Sequence, residues 1–202
     1  MSQNFAACVE WELTGRCDLE CVHCYVRRGR PRGRDLDRDE MASIASRLAD
    51  LGCRSVTLSG GEPTLRRDWP RIADALSSRG VGVQLVSNGQ RMGPAEARAA
   101  SGAGVRLVLL SLDGLERTHD RIRRRRGSFG RVLAAAEALR GSDVPFGFLT
   151  TILEWNADEL EGMEPLVSEL GPALWQIWLA IPQSGGGPWP RRGRARSLAR
   201  RI

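Results

Sequence analysis

Cys17, Asp18, Leu19, Glu20, Cys21, Val22, His23 and Cys24 form one uninterrupted stretch, three thiols with gaps of three and then two residues. The stretch directly follows residues 6–13, where Val9, Trp11 and Leu13 alternate against Cys8, Glu10 and Glu12. A period of two marks a half-buried strand. Three thiolates on one tight loop can ligate three irons of a cubane. A [4Fe–4S] cluster takes four ligands, so one iron stays open to an exogenous group. Zinc is the rival, with His23 as a fourth ligand. The spacing disfavours it, because zinc sites pair their ligands as two separated couples, and His23 is squeezed between Val22 and Cys24. Three buried core thiols are the plain alternative. That fits Cys8 and Cys53, which stand alone on or beside apolar elements. It does not fit three cysteines in a polar segment.

Outward from this loop, apolar runs recur at 55–58, 81–86, 105–112, 146–153 and 174–181, with helical patterns between them. Met41, Ile44, Ala45, Leu48 and Leu51 share one helix face, and Asp37 with Glu40 forms a capping box. Asp68 and Pro70 open a second helix, Pro94 an Ala-rich third, and Ser128 a fourth. Asn156 and Glu159 cap a fifth, which Gly162 and Pro165 should kink or split. Six strands alternating with helices predict an α/β fold, a partial (βα)6 TIM-like barrel of parallel strands with outer helices. All strand C-terminal ends then share one face.

Polar, glycine-relaxed loops follow the next three strands: Ser59, Gly60, Gly61, Glu62 and Pro63; Ser87, Asn88 and Gly89; Ser111, Leu112, Asp113 and Gly114. Singly, each is more often a plain turn. Together they converge on the face that carries the cysteine loop, which is how such folds build sites.

With these motifs the chain resembles the radical S-adenosylmethionine (radical SAM) enzymes over most of 6–181. The Ser111–Gly114 segment, followed by His119, Asp120 and Arg123, is similar to the SPASM/twitch-type branch, which modifies peptides or tetrapyrroles. The resemblance implies that Cys17, Cys21 and Cys24 hold a [4Fe–4S] cluster whose open iron is chelated by SAM. It implies reductive SAM cleavage to a 5′-deoxyadenosyl radical that abstracts hydrogen from a substrate, an iron–sulfur oxidoreductase type of chemistry in peptide or cofactor maturation. By the same resemblance Gly60, Gly61 and Glu62 bind the methionine amino end, and Pro63 shapes their loop. Asn88 and Ser111 reach the ribose or carboxylate, and Arg123 meets a carboxylate. His23 lies against adenine, and Tyr25 serves through its backbone. Where the family has Gly after this Arg, Arg124 stands. A basic run at 121–126 is otherwise a solvated face. His119 and Asp120 are also readable as a helix cap, Asp113 as a substrate-positioning group, and His119 as a group titrating near neutrality. No general base is assigned. The implied partners are a peptide or small-molecule substrate and an external electron donor.

The chain has 202 residues, enough for one domain with a sizeable core. It has 30 basic residues, all Arg, and 24 acidic ones. Six Arg and no acid fall in 183–202, so 1–182 carries 24 of each sign and is neutral. Overall charge therefore gives no support for a nucleic-acid partner. No apolar run reaches bilayer length and no signal pattern opens the chain, so a cytoplasmic protein is expected. Residues 1–182 read as the core domain and 183–202 as a disordered Arg/Gly/Pro-rich tail, resembling a truncated or frameshifted end. No cysteine follows Cys53, so a domain with auxiliary clusters is expected to be lacking. The alternative function is a non-catalytic iron–sulfur or zinc-binding remnant, or a partner-dependent module. Trp175 and Trp178 are then exposed; otherwise they pack against the fifth helix.

Overall fold

A computed structural model describes residues 7–26 and 34–180. Six strands form one sheet: β1 (Cys8–Thr14), β2 (Ser55–Gly60), β3 (Gly82–Ser87), β4 (Val105–Ser111), β5 (Phe146–Ile152) and β6 (Leu174–Leu179). Their spatial order equals their chain order, and every pairing is parallel. The sheet is a partial barrel, with β1 and β6 as its edges. The expected α/β class holds.

Helices fill the crossovers: α1 (Arg38–Asp50), α2 (Trp69–Ser77), α3 (Pro94–Gly102), α4 (Glu116–Arg123), α5 (Ser128–Arg140) and α6 (Leu160–Leu170). A 3-10 turn spans Pro63–Leu65. The capping box at α1 is present: Asp37 accepts from the Glu40 amide, and Glu40 accepts from the Asp37 amide. Such a cap contributes about 1 kcal/mol. Asp68 makes no cap bond and pairs instead with Arg66 at 2.7 Å.

The core lies between the sheet's outer face and the helices. Val56, Leu58, Val83, Leu85, Val108 and Leu110 are fully or almost fully buried there. Alternation sends Glu10, Thr57, Gln84, Leu109, Leu149 and Gln176 to the inner wall. That wall mixes polar and apolar side chains, with Leu109 on β4 and Leu149 on β5 between Gln84 and Gln176.

Four expectations need correction. Cys8 is exposed on β1, while Cys53 is buried and donates toward the Ala7 carbonyl. A β1 that edges the sheet leaves one of its faces open. Helix α6 runs unbroken through Pro165 and begins at Leu160. Pro165 has no amide to donate one turn back, and the residue there, Glu161, is exposed where water reaches the backbone. Asn156 is no cap: it is buried, accepts from the Leu153 amide and donates to the Asp113 and Thr151 carbonyls. Helix α4 was not anticipated at all. It has no apolar stripe, and its buried face is His119, Ile122 and Arg123.

The tryptophans divide. Trp175 packs against the core and donates from Nε1 to Thr150 at 2.9 Å. Trp178 is 44% exposed. The tail anticipated at 183–202 lies outside the described residues.

Candidate active site

The loop after β1 carries Cys17, Cys21 and Cys24. Gly60 and Gly61, after β2, press their backbone onto it. The Gly61 amide donates to the Thr14 carbonyl at 2.7 Å, and the Glu62 amide to the Arg16 carbonyl at 2.8 Å. A Cβ on Gly61 would lie 2.1 Å from the Arg16 oxygen. Gly60 has φ of 122°, and a Cβ there would lie 2.5 Å from the Thr14 oxygen. Only glycine permits this approach.

A cavity of about 430 Å³ opens at this end of the barrel. Cys17, Cys21, Cys24, His23, Tyr25, Gly60, Gly61, Asn88, Ser111 and Arg123 all line it. Glu62 and Pro63 do not. Glu62 is fully buried, and its carboxylate accepts from the Thr64 amide and hydroxyl, the Ser87 hydroxyl and the Asn88 amide. It ties the β2 loop to the β3 loop, with three donors on Oε1 and one on Oε2. Burial pushes its pKa up, against four donors that favour the charged form. Pro63 is buried at the start of the 3-10 turn.

Asn88 is engaged on the cysteine loop. Its Nδ2 donates to Asp18 at 2.8 Å and lies 3.7 Å from Cys17 Sγ. Arg123 is buried, with Nη2 2.7 Å from Asp113 and Nη1 3.6 Å from Cys21 Sγ. Asp113 is wholly buried and does not line the cavity. It therefore cannot position a substrate, and it holds Arg123 and accepts from the Thr151 amide. Its Oδ2 also stands 3.7 Å from His23 Nε2. Burial, opposed by Asp113, takes the His23 pKa down to about 4. His23 is neutral at pH 7.

His119 is buried and is not poised near neutrality. Burial, helped by the Arg123 charge, lowers its pKa to about 4. Its Nδ1 accepts from the Asp113 amide, which puts the proton on Nε2, facing Ser128 at 3.2 Å. Asp120 is a cap, accepting from the Gly127 and Phe129 amides at the start of α5.

The donor set suits a cubane. Cys17, Cys21 and Cys24 line one cavity, and three thiols on one loop are the soft donor set that iron–sulfur clusters take. Each cysteine of a cubane meets a different iron, so three thiols leave one iron open. Burial lifts the Cys17 thiol to about 11 and raises that of Cys21. These are protonated thiols that metal loading must deprotonate. His23 Nδ1 and Arg123 Nε are buried on the cavity wall without partners, which suits a polar ligand.

Residues 11–164 match the family model of the Radical SAM superfamily, and the chain belongs to that family. Its members use a [4Fe–4S] cluster and SAM. The chain is 35% identical over 189 residues to an AdoMet-dependent heme synthase of Methanosarcina barkeri, covering 91% of this chain and 53% of that one. It is 30% identical over 165 residues to the sporulation killing factor maturation protein SkfB of Bacillus subtilis, covering 82% and 40%. Its fold matches Streptococcus suis SuiB bound to S-adenosylmethionine, with a TM-score of 0.84 at 16% identity, over 98% of this chain and 47% of that one. The chain thus spans about half the length of the curated relatives it matches.

Ten of the sequence's candidates line the cavity, while Glu10, Thr57, Gln84, Thr151 and Gln176, which also line it, were not among them. The sequence also missed the Asp113–Arg123 pair, because α4 carries no periodic signal. Arg124, where a glycine was expected, was the one available hint.

Proposed function

We propose that this chain is the catalytic core of a radical SAM maturase acting on a peptide or a small cofactor precursor. One observation carries the reading: three thiols, a glycine-only backbone ledge and a buried arginine meet on one cavity at the C-terminal ends of the strands.

Cys17, Cys21 and Cys24 would hold a [4Fe–4S] cluster, and the ledge at Gly60 and Gly61 would take the methionine end of SAM. When bound, the pair supplies one-electron cleavage of SAM and a 5′-deoxyadenosyl radical. The protein's own part is to place and to shield. Gly60 and Gly61 offer backbone groups at close range. Arg123 offers a fixed cation beside Cys21, and its unpartnered Nε would donate to a polar group of the ligand. Ser111 offers a hydroxyl, and neutral His23 offers a flat ring and a free Nδ1 acceptor. The inner wall below, from Glu10 to Trp178, would receive the substrate. This chemistry needs a reducing compartment, so we place the protein in the cytoplasm, with an external one-electron donor. Among the described residues no helix is long and apolar enough to cross a membrane.

The test is anaerobic reconstitution with iron and sulfide, followed by SAM and dithionite. The expected product is 5′-deoxyadenosine, formed slowly without substrate and abolished by Cys21→Ala. A cluster that forms yet never cleaves SAM would favour the non-catalytic remnant.

A further inference from the structure

The turn between α4 and α5 is a block of positive charge. Arg121, Arg124, Arg125 and Arg126 are exposed, and of the run only Arg123 turns inward to the cavity. Among the described residues no carboxylate pairs with Arg124, Arg125 or Arg126. The nearest acid in sequence, Asp120, is occupied by the Gly127 and Phe129 amides. Since residues 1–182 are neutral overall, this patch is local and not a share of a general surplus.

Its backbone points the same way. Arg124 has φ of 53°, and it is the one non-glycine residue of positive φ among the described residues. Every other such position, including Gly127 three residues later, is glycine. An L residue is strained there and glycine is relaxed. Strain kept at an exposed turn asks for a functional reason. Here it adds a cation to the patch.

The patch also abuts the candidate cluster loop. Arg125 Nη1 donates to the Asp18 carbonyl at 3.4 Å, and the neighbouring Arg123 reaches Cys21 Sγ. The Val22 amide donates to the Ile122 carbonyl at 2.9 Å, fixing the loop against α4.

We propose that the arginine turn at 124–126 is the docking surface for an acidic one-electron carrier protein bearing a flavin or an iron–sulfur centre. This rests on the reading of Cys17, Cys21 and Cys24 as cluster ligands. The carrier is oxidised by one electron, the cluster is reduced by one, and no bond changes at the interface. A carrier fits better than an acidic peptide substrate or a nucleic acid, because the patch lies outside the cavity and against the loop where the electron must arrive. Complementary charge steers such encounters and makes them salt-sensitive.

The test uses the full chain, with a purified acidic flavodoxin as probe. Wild type should bind it with an affinity that falls as salt rises. Arg124→Gly should weaken binding about threefold while the protein melts no lower, since glycine relieves the turn. Arg124→Gly with Arg126→Glu should slow reduction of the reconstituted cluster by reduced flavodoxin by about tenfold and leave reduction by dithionite unchanged. Unaltered flavodoxin binding in these variants would overturn the proposal. So would an equal loss with dithionite, or salt-sensitive binding of an acidic peptide or a DNA oligomer in place of flavodoxin. If the chain takes up no iron, the cluster reading fails, and flavodoxin titration of the metal-free chain still decides the docking surface.

Discussion

The cysteine loop is held from two sides by unlike means. Toward β2 the contact is backbone on backbone: two amides donate to Thr14 and Arg16, and Gly61 leaves no room for a Cβ. Toward α4 it is buried charge: Asp113 holds Arg123 at 2.7 Å, and Arg123 reaches Cys21. A backbone contact tolerates no side chain and cannot be repaired by a second change. A charge pair is costly to break singly and cheaper to replace whole.

The largest effect should come from Gly61→Ala. Its methyl would overlap the Arg16 carbonyl, so we expect a loss of roughly 4–5 kcal/mol or a chain that does not fold. Denaturant unfolding of the metal-free protein measures it, and no second-site change in α4 should rescue it. Next, Arg123→Met leaves Asp113 buried without its cation and should cost about 3–5 kcal/mol. Adding Asp113→Asn, which keeps an acceptor for the Thr151 amide, should recover at least half. Simple additivity of the two would show that the pair is not a unit.

Acid should test the same side. His119 has its pKa lowered from 6.5 to about 4, so the unfolded chain binds the proton more readily than the folded one. Stability is then full above about 6.5 and falls as pH drops toward 4, by about 3 kcal/mol from this group. His119→Ala should roughly halve that slope, because His23, whose pKa is also lowered to about 4, titrates over the same range. The smallest effect is expected of Cys8→Ser. This thiol is exposed, so stability should change by less than about 0.5 kcal/mol.

The same contrast explains what could be read beforehand. Gly60, Gly61 and the thiol spacing are local signals, and so is the alternation that gave β1. They follow from what a short stretch of chain can do by itself. The capping box at Asp37 and Glu40 is of this kind. Helix α4 is not: its inward face is a histidine, an isoleucine and an arginine, and the arginine is buried only because Asp113 lies opposite. That partner is ten residues away in the chain and supplies no periodicity. Glu62 shows another contact that local pattern does not announce. Its family resemblance set it on a ligand, while four donors from its own and the next loop claim its carboxylate. The exposure of Cys8 depended on β1 ending the sheet, which local pattern does not announce.

The proposed chemistry stands on Cys17, Cys21 and Cys24 together holding a four-iron cluster. Iron and sulfide analysis after anaerobic reconstitution, with the electron paramagnetic resonance spectrum of the reduced protein, tests it most directly. We expect about four irons per chain and a reduced-cluster signal in wild type and in Cys8→Ser, and neither in Cys21→Ala. A full cluster in Cys21→Ala, or one lost in Cys8→Ser, would contradict it.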